Sequence, residues 1–535
     1  MKRWKKYICI ALTLVTTVTL AVGCASNSGG GPAGNDTSGT ASGSGSTGSN
    51  TQTGYTQTTD DVKRLIFARS EDVLSMDLYN TTLLSNGMVV RQINQTLLFQ
   101  TAEGELRPWL ATKWEASDDA TEWMFRLRED VMFSDGTPLT AADVKASYEY
   151  PTKNNVASSA TWQDLKEVQI LGDYEVKVIF NNPCGAMSYM AAGATIYKKD
   201  IVDQGPEVMA STSVGTGPWK LKEWNPGDNI VLDRNEYYWG DKPYYDEFEY
   251  KVIIEDSTRL AAVQTGAVHI AEGVAAELYD QVERDPRVQL FKLDLADQQW
   301  LGLKCDVPPF DNIKAREAVS LCLDRAVFVD MLQGGKVSTS IIPSKSLGGV
   351  PDWPDLPYDP VRAKQLLEES GYNGDKIVLL SFTGSYPKTM EQLETVQAMM
   401  TAVGFNVSLE VFEMSTFLER RAAEQYNLFW TGTAMIGLDP DSFLSARIVN
   451  NTQKCNYFND ALTDAINRGR RANTLEGRQA AYEEAMKIVN KEFAPFIPIY
   501  ETISAYAISP DVDLSGAANL FRSDRIPNFH LMKGK

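Results

Sequence analysis

The stretch FWTGTAMIGLDPDSF, Phe429 to Phe443, of this 535-residue chain sets a tryptophan and two aspartates close together. Trp430 offers a flat ring that can stack on a ligand or pack beneath a loop, and it needs a partner for its N–H in either role. Asp439 and Asp441 flank Pro440, and an aspartate before a proline sets a turn. Tyr386, Tyr457 and Met435 are further candidates for ligand contact, with packing as the competing role. Catalysis finds less support. The chain has no G-x-S-x-G, no H-E-x-x-H and no G-x-x-x-x-G-K-[ST]. Its two histidines, His269 and His530, stand far apart, and His269 reads as a surface or satisfied structural imidazole. Cys184, Cys305, Cys322 and Cys455 are scattered without a C-x-x-C, so zinc is not expected and three disulfide pairings stay open. Cys322, at helical spacing from Ala318, Val319 and Ala326, reads as a buried, inert thiol. A glycosidase needs only two carboxylates at the right spacing, but no pair is marked by a motif. These residues point to no enzyme activity, metal or cofactor.

One thiol has a more definite chemistry. Lys2, Arg3, Lys5 and Lys6 precede an apolar run, Tyr7 to Val22, and then Ala21-Val22-Gly23-Cys24. The run is shorter than the roughly 20 residues a membrane span needs, so the layout is that of a secretory signal. The small residues before Cys24 resemble a lipobox, which implies removal of residues 1–23 and diacylation of Cys24. Residues 25–59 have no aliphatic side chain larger than alanine and cannot offset the entropy of ordering. They read as a disordered leash with an end-to-end distance of roughly 30–35 Å. The rest, from about residue 60, is too long for one core and predicts at least two lobes. Net charge is −19, and loss of the four basic signal residues makes it −23, which argues against nucleic acid as a partner.

The elements that would position the candidate residues are mixed α/β. Leu65 to Ala68 is strand-like, and Leu84 to Leu98 has one apolar helical face through Val89, Ile93 and Leu97. TEWMFRLRED alternates as a half-buried strand, and Thr140 is set to cap a helix with Asp143 in its first turn. GTGPWK, Gly215 to Lys220, reads as a tight turn before a strand. Residues 312–333 predict one helix closed by Gly334-Gly335. Asp359-Pro360 opens a small helix that Gly371 ends. KIVLLSF, a helix over 390–403 and FNVSLEVF suggest a βαβ unit, and a further helix spans 475–491. QQWLGLK (298–304) and PFIPIYE (495–501) are the candidates for ordered crossings between lobes, because Pro495 and Pro498 bar a helix in the second.

Three blocks now point to a family. GELRPWLATKWEASDDATEWMFRLREDVMFSDGTPLTAADVKASYEY resembles the signature region of the peptide/nickel class (family 5) of extracellular solute-binding proteins, which serve ATP-driven importers. VGTGPWKLKEWNPGDNIVLDRNEYYWGDKPYYDEFEYKVIIEDSTRLAAVQTGAV and PPFDNIKAREAVSLCLDR resemble its second and third signatures, in the same order. The resemblance implies an α/β, two-lobed periplasmic-binding-protein-like fold of type II with the ligand cleft between the lobes. It implies a first lobe over 60–298 with an extra subdomain at about 90–210, a second over 299–498, and a return to the first over 499–535. It implies hinge closure on a peptide or peptide-like solute, delivery to an ABC-type permease in the cytoplasmic membrane, and a monomer held by lipid at the extracellular face of that membrane, or its periplasmic side where an outer membrane exists.

In peptide-binding relatives a carboxylate just after a tryptophan, as in W-T-G-D, pairs with the ligand's α-amino group. Here Thr433 stands at that position. A buried ammonium without a counter-charge is costly, which makes Asp439 and Asp441 the candidates to reach in instead, with turn-setting around Pro440 as the favoured competing role. Ser75 and Met76 lie where relatives line the first-lobe side of the cleft. The alternative is the same receptor role for an oligosaccharide, opine or other small solute, which Thr433 and the 10% aromatic content permit.

Overall fold

The computed structural model describes residues 62–81, 83–349, 356–383, 386–435, 438–515, 521 and 525–535. Cys24, the signal and the leash lie outside the described residues. The compact unit is Asp61–Lys535. Its backbone is one continuous mixed sheet. One end holds the strands Arg64–Arg69, Trp219–Asn225, Asn229–Arg234, Glu247–Val252 and Ile270–Glu272, and the other holds Ile377–Phe382, Val407–Phe412 and Leu428–Ala434. Two long strands, Gln289–Leu303 and Phe496–Ile508, run between the ends and pair antiparallel with each other. Their outer halves join different lobes: Ile508 pairs with Ile270, whereas Leu301 pairs with Trp430. The ladder between them breaks register twice, between Asp294 and Gln298 and between Gln299 and Trp300. A bulge disrupts the ladder locally and bends the strand, here where the lobes meet.

Each lobe buries its own apolar cluster. Leu65, Phe67, Trp219 and Phe248 belong to one, and Leu303, Val319, Leu379 and Trp430 to another. The βαβ unit forms as the periodicity requires: Ile377–Phe382 and Val407–Phe412 pair in parallel around the helix Thr389–Ala402. Asp359 caps the helix Pro360–Glu369 by accepting from the Arg362 N–H at 2.9 Å. Thr140 and Asp143 form a reciprocal capping box at the start of Ala141–Asn154. A separate antiparallel sheet, in the order Ala111–Ala116, Glu122–Leu127, Glu175–Phe180, Leu165–Gly172, extends the first lobe. The turn at Gly215 and Gly217 exists because an added Cβ would come within 2.0 Å and 2.5 Å of the backbone carbonyls of Ile93 and Gln92.

Two helices differ from the sequence expectation. The apolar face over Leu84 to Leu98 is helical only through Ile93, because Asn94 turns extended. The single helix over 312–333 is two, Ile313–Cys322 and Arg325–Leu332. Leu323 is extended, and the Asp324 carboxylate accepts from the Ala326 N–H at 3.2 Å, which restarts the helix. Gln333, in the left-handed conformation at φ 50°, ends it rather than the glycines that follow. Cys184, Cys305, Cys322 and Cys455 are all free thiols. Desolvation pushes the Cys322 thiol up to about 12, which leaves it inert at neutral pH.

Candidate functional site

A cavity of about 670 Å³ opens where the lobes meet the crossing strands. The first lobe contributes the loop Gly273–Glu277 and Tyr279. The second contributes Gly432, Thr433 and Ala434 from the end of Leu428–Ala434, and Tyr386 to Lys388 ahead of the helix Thr389–Ala402. The crossing strands supply Asp297, Gln299, Tyr500 and the run Thr502–Ala505. Volumes of about 300–1,000 Å³ are typical of small-molecule sites. Polar groups converge on it. The Tyr386 hydroxyl accepts from the Gly432 N–H at 2.7 Å and is hydrogen-bonded to Thr431 Oγ1 at 3.3 Å, where either hydroxyl can donate. Burial raises the Tyr386 phenol above its ordinary value, so it stays protonated and able to donate. Lys388 spans the cleft: its ammonium lies 3.0 Å from the Glu277 carboxylate of the facing lobe and donates to the Met331 carbonyl at 3.0 Å.

A second contact between the lobes lies at the four-stranded sheet. The Gly185 N–H donates to the Arg470 carbonyl at 2.8 Å, and Asn473 Nδ2 donates to the Ser117 carbonyl at 3.2 Å. Beside it lies a buried charge cluster. Arg478, 1% exposed, holds both carboxylate oxygens of Asp439, at 2.8 and 2.5 Å. Asp441 accepts from Ser445 Oγ at 3.0 Å and from the Tyr482 hydroxyl at 3.3 Å, with Arg470 at 3.4 Å. Burial, and then the Asp439 charge, push the Asp441 carboxyl up.

Of the residues singled out in the sequence, Tyr386 and Thr433 line the cavity. Thr433 Oγ1 accepts from the Trp300 indole at 3.3 Å. Trp430, on the same strand, is fully buried in the second-lobe core with its ring 5.7 Å from that of Phe328. Asp439 and Asp441 are committed to the arginine cluster. Met435 is 4% exposed in the neighbouring apolar cluster, and Tyr457 is half-buried, its hydroxyl accepting from Asn459 Nδ2 at 3.2 Å. Met76 is fully buried in the first-lobe core, while Ser75 Oγ accepts from the Asp77 N–H at 3.0 Å. None of these seven lines the cavity. His269 is structural: its Nδ1 accepts from the Ile66 N–H at 3.1 Å. Asp297, Gln299, Glu277, Lys388 and Tyr500 line the cavity and were not singled out. The available signal was the polar pair Asp297 and Gln299 on alternate positions of a strand that otherwise reads as a lobe crossing.

Two lobes joined by paired strands, with a ligand-sized cavity between them, define the class of protein that binds a solute by closing on it. The particular family follows from comparison. Residues 105–453 match the model of bacterial extracellular solute-binding proteins, family 5 Middle, and the chain belongs to that family. It is 25% identical over 486 residues to the glutathione-binding protein GsiB of Escherichia coli (strain K12), covering 85% of this chain and 93% of that one. The periplasmic binding protein DppA from Helicobacter pylori, solved in complex with the peptide STSA, matches with a TM-score of 0.70 at 25% identity over 88% of this chain and 98% of its own. HbpA2 from Haemophilus parasuis matches with a TM-score of 0.79 at 23% identity, over 88% and 100%. The family consists of solute-binding proteins that work with ABC transporters. Among the described residues no helix is long and apolar enough to cross a membrane.

Proposed function

We propose that this protein is a membrane-tethered receptor that captures a peptide or peptide-like solute by hinge closure and hands it to an ABC-type permease. The observation that carries the reading is the cavity of about 670 Å³ lined by both lobes and by the strands that join them. A solute there touches both lobes at once and so prefers the closed arrangement, which is what drives closure. The peptide class is supported by the relatives: GsiB is named for glutathione, and DppA from Helicobacter pylori was solved with STSA. Residues 60–298 with 499–535 serve as the first lobe, about 90–210 as its subdomain, and 299–498 as the second. Diacylation at Cys24 and the leash over 25–59 keep a monomeric receptor beside its permease at the outer face of the cytoplasmic membrane, and two acyl chains suffice for a stable anchor. The protein returns its ligand unchanged and needs no cofactor.

The test is to purify the protein under native conditions, denature a sample and identify what is released by mass spectrometry, with calorimetric titration of Met-Leu, Ser-Thr-Ser-Ala and glutathione alongside. Peptide release and stoichiometric binding of at least one probe are expected. Release of a sugar or opine alone, with no peptide binding, would overturn the peptide assignment. Turnover of the bound solute would overturn the receptor.

A further inference from the structure

Asp297 and Gln299 stand two residues apart on Gln289–Leu303, so their side chains leave the same face of the sheet, and both line the cavity. Gln299 is 3% exposed, and its Oε1 has no hydrogen-bond partner among the described residues. A buried amide oxygen is rarely left so, and this one belongs to a side chain of the cavity wall. Gly432 lies opposite on the paired strand, where an added Cβ would come within 2.3 Å of Gln299 Nε2. The glycine therefore makes room for the Gln299 amide itself against the paired strand.

The charges narrow the class of ligand group. The cavity lining carries Asp256, Glu277 and Asp297 against Lys388. Asp256 is held by Arg259 at 2.5 Å, and Glu277 by Lys388 at 3.0 Å. Asp297, largely buried, pairs with Arg525 of the C-terminal segment. Arg525 holds this position with φ 68°, a left-handed conformation that an arginine keeps only when its surroundings enforce it. Asp297 pairs in register with Ala434, next to Thr433. The carboxylate thus lies one strand over from the threonine, on the wall that lacks a charge there.

We propose that Asp297 and Gln299 form a subsite for a primary ammonium group of the ligand, and that Arg525 neutralises Asp297 when no such group is bound. An ammonium brings one charge and three donors, and a carboxylate with an adjacent amide oxygen supplies acceptors for it. Arg525 has the same sign as the incoming group, so the two cations compete for one carboxylate. The proposal rests on the cavity being the ligand site, as the receptor reading holds.

The test titrates the full chain with Met-Leu and with N-acetyl-Met-Leu, in the wild type, Asp297→Asn and Arg525→Gln, with thermal melts to confirm that each variant folds. The wild type is expected to prefer the free amine by about 10- to 100-fold, one charge-assisted hydrogen bond's worth. Asp297→Asn removes the preference and leaves affinity for the acetylated form unchanged. Arg525→Gln keeps the preference and tightens free-amine binding. An Asp297→Asn variant that still prefers the free amine, or an Arg525→Gln variant that loses the preference, overturns the subsite while the peptide reading stands. If the wild type binds neither probe, Met-Leu is not its ligand, and the peptide reading is decided by the natively released solute. The subsite is then judged on the natively bound solute, released and treated with an amine-labelling reagent: an amine-bearing solute that Asp297→Asn no longer retains supports it, and any other result overturns it.

Discussion

Gly185→Ala should weaken ligand binding without touching the cavity. Gly185 is buried where the first lobe meets the second, and a Cβ added there would lie 2.2 Å from the Ala472 carbonyl oxygen, 2.6 Å from Arg478 Nη1 and 2.9 Å from the Arg470 carbonyl oxygen. Two of these atoms are backbone, and the third belongs to a guanidinium fixed by Asp439. None can give way cheaply, so the lobes must part. Forcing an extra methyl into a packed contact costs about 1–3 kcal/mol. Losing the Gly185 to Arg470 hydrogen bond costs about 1 kcal/mol more. The total falls only on the arrangement in which the lobes touch, so it appears in Kd. At 1.4 kcal/mol per tenfold, the affinity drops about 30- to 700-fold. The assay is calorimetric titration with the ligand released from natively purified protein, with small-angle scattering of the liganded variant to show a wider opening. Unchanged affinity would refute the claim that closure brings Gly185 against Arg470. So would a loss of affinity matched by an equal loss of thermal stability in the unliganded protein, since that would mean a folding defect.

Two further outcomes follow from groups outside the cavity. Asp439→Asn leaves Arg478, 1% exposed, without its paired carboxylate, and breaking a buried pair costs about 3–5 kcal/mol. Urea unfolding should show that loss with ligand selectivity intact; altered selectivity would return Asp439 to the ligand site. His269 supplies a pH effect: burial lowers its pKa below the ordinary value, against a weaker upward pull from Asp511. The unfolded chain takes up this proton near pH 6.5 and the folded chain only at lower pH, so the stabilising difference is present above about 6.5 and is lost as pH falls below it. Melting curves between pH 7 and pH 5 should decline more steeply for the wild type than for His269→Asn, and parallel declines would refute the assignment.

The sequence shows local order well, because local order is written in neighbours. The capping aspartate at 359, the Thr140 cap with Asp143 in its first turn and the alternation in TEWMFRLRED each act within a few residues, and each forms. The break at Leu323-Asp324 was hidden because the apolar spacing continues through it while a cap overrides it. The cavity was mostly hidden for the opposite reason. Asp439 looks available until Arg478 arrives from 39 residues away, and Trp430 looks like a stacking surface until Phe328 packs on it. Asp297 and Gln299 carry only the faint local mark of two polar residues at alternate positions, and only the pairing of distant strands turns them toward a shared space.

The polar contacts that cross between the lobes explain why a solute should be needed to close them. Lys388 and Glu277 remain 32% and 56% exposed, and an exposed pair contributes only about 0–1 kcal/mol. The Gly185–Arg470 and Asn473–Ser117 hydrogen bonds add about 1 kcal/mol each. Taking a population from 1:99 to 99:1 requires about 5.5 kcal/mol of differential binding. These contacts supply roughly half of that at best, and the remainder must come from a ligand that touches both lobes. The register breaks beside Asp297 and Gln299 give that ligand its leverage, because whatever these two side chains hold also lies against the segment of strand that must bend. Recognition and closure then share one stretch of five residues, 294 to 298, and the residue that follows it. A ligand held more tightly at Asp297 should therefore also favour the closed arrangement more strongly, whereas a ligand without an amine should close the lobes equally well in the wild type and in Asp297→Asn.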